Sequence, residues 1–196
     1  MRKLSILAVV AALSTSLTTS ANESGFYLGL NLGFGGGTEV ADFSDEEVEA
    51  DYDFTATKVA FGYIADDRIR FEGSLSTYKL DFDDFDGEDK ISSFDIDGYL
   101  TLGSDKIRPY FMGGFGLATY QDTADFTEED EDLSGISFQV GAGVVFPIND
   151  SVELDASYRI RVIAWQAIEV SNGFYSEDLN LSNTFSEFGI GAKYIF

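Results

Sequence analysis

Charged residues occupy alternate positions in several short stretches of this chain, each flanked by apolar neighbours. Arg70 and Glu72, Asp95 and Asp97, Glu153 and Asp155, and Arg159 and Arg161 are spaced two apart, and Lys58, Glu187 and Lys193 alternate with apolar or small residues in the same way. Carboxylates beside ammonium and guanidinium groups can pair, accept and return protons, or serve as bases. The rest of the usual catalytic set is missing, because the chain contains no histidine and no cysteine. That closes the serine–histidine hydrolases, thiolate metal sites, disulfides and the acylated cysteine of a lipoprotein. A carboxylate-only base stays open, but no serine–acid arrangement stands out from ordinary loop composition. No catalytic, metal or cofactor residue is assigned.

A side chain every second residue on one face is the mark of a strand. Eight segments show it. In the first, Phe26, Leu28, Leu30, Leu32 and Phe34 interleave with Tyr27, Gly29, Asn31 and Gly33. In the last, Phe188, Ile190, Ala192, Tyr194 and Phe196 interleave with Glu187, Gly189, Gly191 and Lys193. Segments over 58–63, 69–77, 94–102, 110–117, 138–146 and 152–161 repeat the pattern. None of the residues on the apolar face is ionisable near neutral pH, and a Lys or Arg at a bilayer midplane would cost about 2–4 kcal/mol. The polar face gathers Lys58, Arg70, Arg159, Arg161 and Lys193 with Glu72, Asp95, Asp97, Glu153, Asp155 and Glu187. Five cations against six anions suit pairing inside a narrow tube, where an unpaired charge is expensive. Inward glycines suit a tube too narrow for large side chains at every level.

Residues 1–21 read as a secretory signal: Arg2 and Lys3, the apolar run Leu4 to Leu13, and the small-residue site Thr19-Ser20-Ala21. Residues 22–196 then form one domain, and removing Arg2 and Lys3 takes the net charge from −23 to −25. So acidic a chain does not suit nucleic acid. Short turns at Asp66-Asp67, Gly103 to Lys106 and Pro147 to Asp150 alternate with long polar links over 35–53, 81–90, 121–133 and 166–182. Those links hold 24 of the 35 acids. Alternating short turns and long loops is the pattern of outer-membrane barrels, with short turns in the periplasm. Both termini are therefore expected on the periplasmic side of a Gram-negative outer membrane. Phe26, Tyr63, Phe146, Tyr194 and Phe196 are expected to form the lower aromatic girdle, with Phe34 and Trp165 in the upper one. The stretch DFDDFDGEDK has the carboxylates of a calcium loop, but Phe82 stands where its first ligand would be relative to Gly87. Solvated loops, with diffuse divalent-cation bridging to lipopolysaccharide, are the expectation there.

The opening GFYLGLNLGFGG, the run FGYIADDRIRFEGSL, RPYFMGGFGLATY, GAGVVFPINDSVELDASYRI and the ending GIGAKYIF occur in order across the chain. Together they resemble the OmpA-like and opacity-type outer-membrane barrels, over Gly25 to Phe196. The resemblance implies an all-β fold, a transmembrane eight-stranded antiparallel up-and-down barrel. It implies that Ile190, Ala192, Tyr194 and Phe196 are read by the barrel-insertion machinery. It also places an inward acid at Glu72, with Lys58, Arg70, Arg159 and Arg161 as candidate partners. The chain stops at the barrel, so the cell-wall-binding domain of full-length OmpA is not implied.

Five readings of function are weighed against these features. The first is a non-enzymatic envelope protein whose partners are outer-membrane lipid, lipopolysaccharide and the insertion machinery, with acidic loops open to cations or proteins. The alternatives are a narrow channel or hydrophobic-solute transporter, and a surface adhesin, since loops concentrate binding functions. A lipid-acting enzyme loses its histidine. A soluble lipocalin-like barrel fits the alternation by parity alone, and the signal, the loop asymmetry and the aromatic terminus decide against it.

Overall fold

The computed structural model describes residues 24–43, 46–82, 89–103, 106–121, 133–171 and 176–196. The β-branched and aromatic residues that dominate the alternating segments favour extended backbone, and the described residues contain no helix. The strands are β1 (Gly25–Phe43), β2 (Glu46–Ile64), β3 (Ile69–Phe82), β4 (Asp89–Thr101), β5 (Arg108–Gln121), β6 (Leu133–Asn149), β7 (Val152–Trp165), β8 (Ile168–Ser171) and β9 (Ser176–Ile195). From β1 to β7 each is antiparallel to the next, β9 follows β7, and β9 returns to β1 from Tyr27↔Ile195 to Asp42↔Asn180. Where β7 stops, β8 takes over as the partner of β9, from Ile168↔Leu179 to Ser171↔Ser176. The wall is therefore an eight-stranded closed barrel whose seventh strand breaks at Gln166 and Ala167. Closure leaves no edge with unpaired backbone, which is what a strand protein needs to lie in hydrocarbon.

The faces are unambiguous. Leu32 is 67% exposed on the outside, whereas Arg161 is fully buried within. Phe26, Leu28, Leu30, Phe34, Phe71, Leu75, Phe94, Phe111, Phe138 and Ile190 also stand outward. At the end of the short turns, the Asp66 carboxylate accepts hydrogen bonds from the backbone N–H groups of Arg68 and Ile69, at 2.7 and 2.8 Å. Those two donors hold its pKa below the ordinary 3.8. In the next short turn Gly103 takes a φ of +79°, a left-handed conformation that favours glycine.

Two expectations need correction. Most of the link over 35–53 is strand, since β1 runs on to Phe43 and β2 starts at Glu46. The link over 166–182 likewise folds largely into the β8–β9 pairing. Ladder hydrogen bonds that continue beyond the apolar belt account for this, and β1, β2 and β9, at 19, 19 and 20 residues, are about twice the 9–11 residues a membrane-crossing strand requires. Trp165 is the second correction. It points inward and is buried, so it belongs to no outer girdle. Its indole N–H finds a carbonyl partner inside, which the lipid face would not supply. The signal segment 1–21, the core of DFDDFDGEDK at 83–88 and the acidic run 128–132 lie outside the described residues.

Candidate functional site: the lumen

Two layers fill the tube. Nearest the short turns, Arg70 bonds Glu153 through both terminal nitrogens, at 2.6 and 3.2 Å, and Arg108 reaches the same carboxylate. Next come three donors on Glu72: Lys58 Nζ, Tyr27 OH and Tyr99 OH, each at 2.8 Å. Of the four bases expected near this acid, Lys58 pairs with it. Lys193 lies 3.7 Å from Asp155 and sits among the rings of Tyr27, Tyr99 and Tyr110, 5.2–5.8 Å from their centroids.

Higher in the tube, Arg161 donates to Asp95 at 2.7 Å, to Ser93 at 3.0 Å and to Gln139 at 2.6 Å. Gln139 accepts from Arg159 at 3.2 Å and donates to Asp97. Glu187 is buried directly across the β7–β9 ladder from Arg159. All eleven charged residues singled out in the sequence are thus buried inside the barrel. Pairing of this kind does not by itself stabilise a fold, because desolvation offsets much of the attraction; breaking a pair, however, is costly.

Glycine makes the room. Lys193 faces Gly29, Tyr27 faces Gly62, Asp97 faces Gly114, Asp95 faces Gly116 and Asp155 faces Gly191 across their ladders. A Cβ on Gly62 would lie 2.1 Å from the Tyr27 ring, and one on Gly114 would lie 2.0 Å from an Asp97 oxygen. Each large polar group projects over a partner with no side chain.

Above the charges lies an apolar core that sequence reasoning did not anticipate. Tyr52, Phe54, Tyr78, Leu80, Ile163, Trp165 and Phe185 pack there with their neighbours. Phe54 and Tyr78 both meet Phe185, at centroid distances of 5.0 and 5.1 Å. Asn183 is its polar centre. Its carbonyl accepts from the Trp165 indole at 2.5 Å, and its amide donates to Glu39 at 3.1 Å and to the Tyr52 hydroxyl at 3.2 Å. Arg161 joins the two layers, with its guanidinium 5.2 Å from the Tyr78 centroid and 5.9 Å from that of Phe185.

Arg108, Tyr27, Tyr99 and Tyr110 also belong to the ionic layer. Arg108 was missed because it begins its strand beside Pro109, where alternation has barely started. The tyrosines share parity with the charges, and that was the signal available for them. With Arg108 the cations inside number six against the same six anions. As chemistry, the layer is a set of opposed charges, most of them hydrogen-bonded, in which Asp97 Oδ2, Asp155 Oδ2 and Glu187 Oε2 are buried without a hydrogen-bond partner.

The chain matches the family described as "Outer membrane protein beta-barrel domain" over residues 5–196. Its fold is similar to the crystal structure of surface protein A from Neisseria, at 19% identity, 89% coverage of this chain, 99% of that one and a TM-score of 0.57. It is also similar to the outer membrane protein OprG of Pseudomonas aeruginosa, at 12% identity, 91% and 99% coverage and a TM-score of 0.50. At such identities the likeness is one of fold alone. No curated protein sequence matches the chain.

Proposed function

This chain belongs to the outer-membrane β-barrel domain family, and from that premise we propose that it is a sealed, non-enzymatic barrel with a structural role in the envelope. The observation that carries this reading is the pair of layers stacked in series inside the tube. Below, six acids sit against six bases; above, an aromatic core packs around Asn183. Eight strands enclose about enough room for side chains and little more. The absence of histidine supports a non-enzymatic role.

In this reading residues 1–21 are removed on export and both termini of the mature chain lie in the periplasm. Ile190, Ala192, Tyr194 and Phe196 present the insertion signal, and the acidic upper strand ends face the exterior, open to divalent cations that bridge to lipopolysaccharide. Purified protein in planar bilayers is expected to give no conductance steps above those of protein-free membranes; steady steps would replace this reading with the narrow-channel one. The chain has no cysteine, so Asp42→Cys and Asp67→Cys give single-label probes of orientation. Impermeant maleimide on intact cells is expected to label the first and spare the second.

Surface contact is a second reading, favoured by the height of β1, β2 and β9 beyond the apolar belt. Shortening the hairpin over 38–51 is the test. An unchanged cell-surface phenotype would remove it.

A further inference from the structure

The outer wall where β2, β1, β9 and β7 lie side by side carries three outward rungs, each crossing four strands. The lowest is Thr55, Phe34, Phe188 and Tyr158. The next is Asp53, Gly36, Ser186 and Ile160, and the highest is Asp51, Thr38, Thr184 and Val162. Across the rungs, the β2 side is polar and ends in two carboxylates, while the β7 side is aromatic or aliphatic throughout. Small residues stand between them on the two upper rungs. Four neighbouring strands span about 14 Å.

The missing bulk leaves a groove of about 470 Å³, with Asp51 and Asp53 at one end and Tyr158 and Ile160 at the other. Its floor is bare backbone at Gly36, where a Cβ would lie 3.1 Å from an Asp53 carboxylate oxygen. That carboxylate therefore leans over the groove. The Thr38 hydroxyl donates to Asp51 at 2.7 Å and holds the second carboxylate beside it. None of the lining residues is basic. Along the lower edge, Phe188 meets Phe34 and Tyr158 at ring-centroid distances of 6.1 and 4.8 Å. An aromatic row of this kind sits at headgroup level in a membrane wall.

We propose that this groove holds a lipid of the outer leaflet whose headgroup ends in a primary ammonium. The ammonium sits against Asp53 and Asp51, and the acyl end runs over Ile160 and Tyr158. A primary ammonium has three N–H donors and no acceptor, and the groove offers it carboxylates together with the hydroxyl oxygens of Ser186 and Thr184. Methylation of the nitrogen removes those donors and loses the bonds. A headgroup of net negative charge meets two carboxylates with no base beside them, and is repelled. A soluble amine satisfies the carboxylate end alone, whereas a lipid covers both ends, which selects the anchored ammonium over the free one. The proposal rests on the orientation given above, which puts the groove in the outer leaflet.

The test is native mass spectrometry of the full chain in mild detergent, with phosphatidylethanolamine as the probe and phosphatidylcholine and phosphatidylglycerol of the same acyl chains as comparators. Wild type is expected to retain the ethanolamine lipid and to release the other two. D51N/D53N keeps the volume of the groove and removes its charge, and is expected to lower the apparent affinity about tenfold or more, as loss of charge-assisted bonds should. S186L keeps both carboxylates and fills the groove, and should lose the lipid as fully. D81N is the control: Asp81 faces Asp53 from the far side of β2, outside the groove, and its loss should leave retention unchanged. Equal retention of the three lipids by wild type would overturn the proposal, because the wall would then hold any acyl chain. Unchanged retention by D51N/D53N, or an equal loss in D81N, would overturn it too. Heat-modifiable gel migration confirms that each variant is folded, and the headgroup series on wild type decides the matter without any variant. Retention by purified protein does not depend on topology, so labelling of Asp42→Cys from the wrong side sinks the orientation and leaves the lipid measurement standing on its own.

Discussion

The lower and upper halves of the barrel use the same alternation with opposite meaning. On β3, Ile69, Phe71 and Leu75 face out while Arg70, Glu72, Ser74 and Ser76 face in; further up, Lys79 and Asp81 face out while Tyr78 and Leu80 face in. On β2 the lower part has Val59 and Phe61 outside with Lys58 inside. Its upper part has Asp51, Asp53 and Thr55 outside with Tyr52, Phe54 and Ala56 inside. On these two strands the parity never slips. What changes is the solvent: against hydrocarbon the polar residues go inward and must pair, and above it the wall meets water, so the interior can be apolar as in a soluble protein. The inversion between Thr77 and Lys79 marks where the strand leaves the lipid.

The two halves should therefore fail differently. The largest effect is expected where they join. Arg161→Ala strands Asp95 without its cation and removes the group packed against Tyr78 and Phe185, at about 3–5 kcal/mol, read from urea unfolding in lipid vesicles. Phe185→Ala should cost about 3 kcal/mol by emptying the upper core, yet leave planar bilayers silent because the ionic layer below still closes the tube. Conductance in that variant alone would mean the charges do not seal. Asn183→Ala leaves the Trp165 indole and its other partners unsatisfied, about 1–3 kcal/mol on the same unfolding assay.

The sharpest contrast comes from Lys58 and Glu72. Lys58→Met alone leaves Glu72 with only its two tyrosines and should destabilise by about 3–5 kcal/mol, whereas Lys58→Met with Glu72→Met should recover part of that loss, the remainder being the Tyr27 and Tyr99 hydroxyls left without their acceptor. No double substitution by polar residues should rescue the aromatic core in that way; if one did, the distinction between the halves would collapse. The smallest effect is at Asp66, fully exposed in its turn. Because its folded pKa is depressed, the stabilisation it brings is present above the unfolded value and is lost as pH falls through the folded one. An NMR titration should place the Asp66 midpoint below 3.8, and Asp66→Asn should flatten that part of the acid-stability curve.

The sequence reading succeeded where one physical rule governed a whole segment. Arg159 and Arg161, flanked by Tyr158, Ile160 and Val162, could only be inward if the flanking set met lipid. It fell short at Tyr52, Phe54, Trp165 and Phe185, because it took apolar to mean lipid-facing throughout and ended the strands where that pattern stopped. Continuing the parity past Thr77 would have put Tyr78 and Leu80 inside. The glycine-opposite-bulk rule needs register, and register between strands joined by links of unknown length was not readable. The extra strand β8 has only four residues, Ile168–Ser171, too few for alternation to announce it.

One feature of the wall bears on how the protein comes into being. β1 presents Gly29, Gly33, Gly35 and Gly37 to the interior along its ladder with β9, and a Cβ on Gly35 would stand 1.9 Å from the Ser186 carbonyl oxygen. Along the meeting of first and last strands bulk faces glycine from either side: Phe185, Glu187 and Lys193 of β9 stand opposite Gly37, Gly35 and Gly29, and Asn31 of β1 stands opposite Gly191. These are the most distant partners along the polypeptide, so bringing them together carries the greatest entropic cost of any ladder. A methyl at Gly35 or Gly37 would meet a backbone oxygen of β9 in the finished cylinder, so alanine at either place should loosen the very ladder that closes the tube.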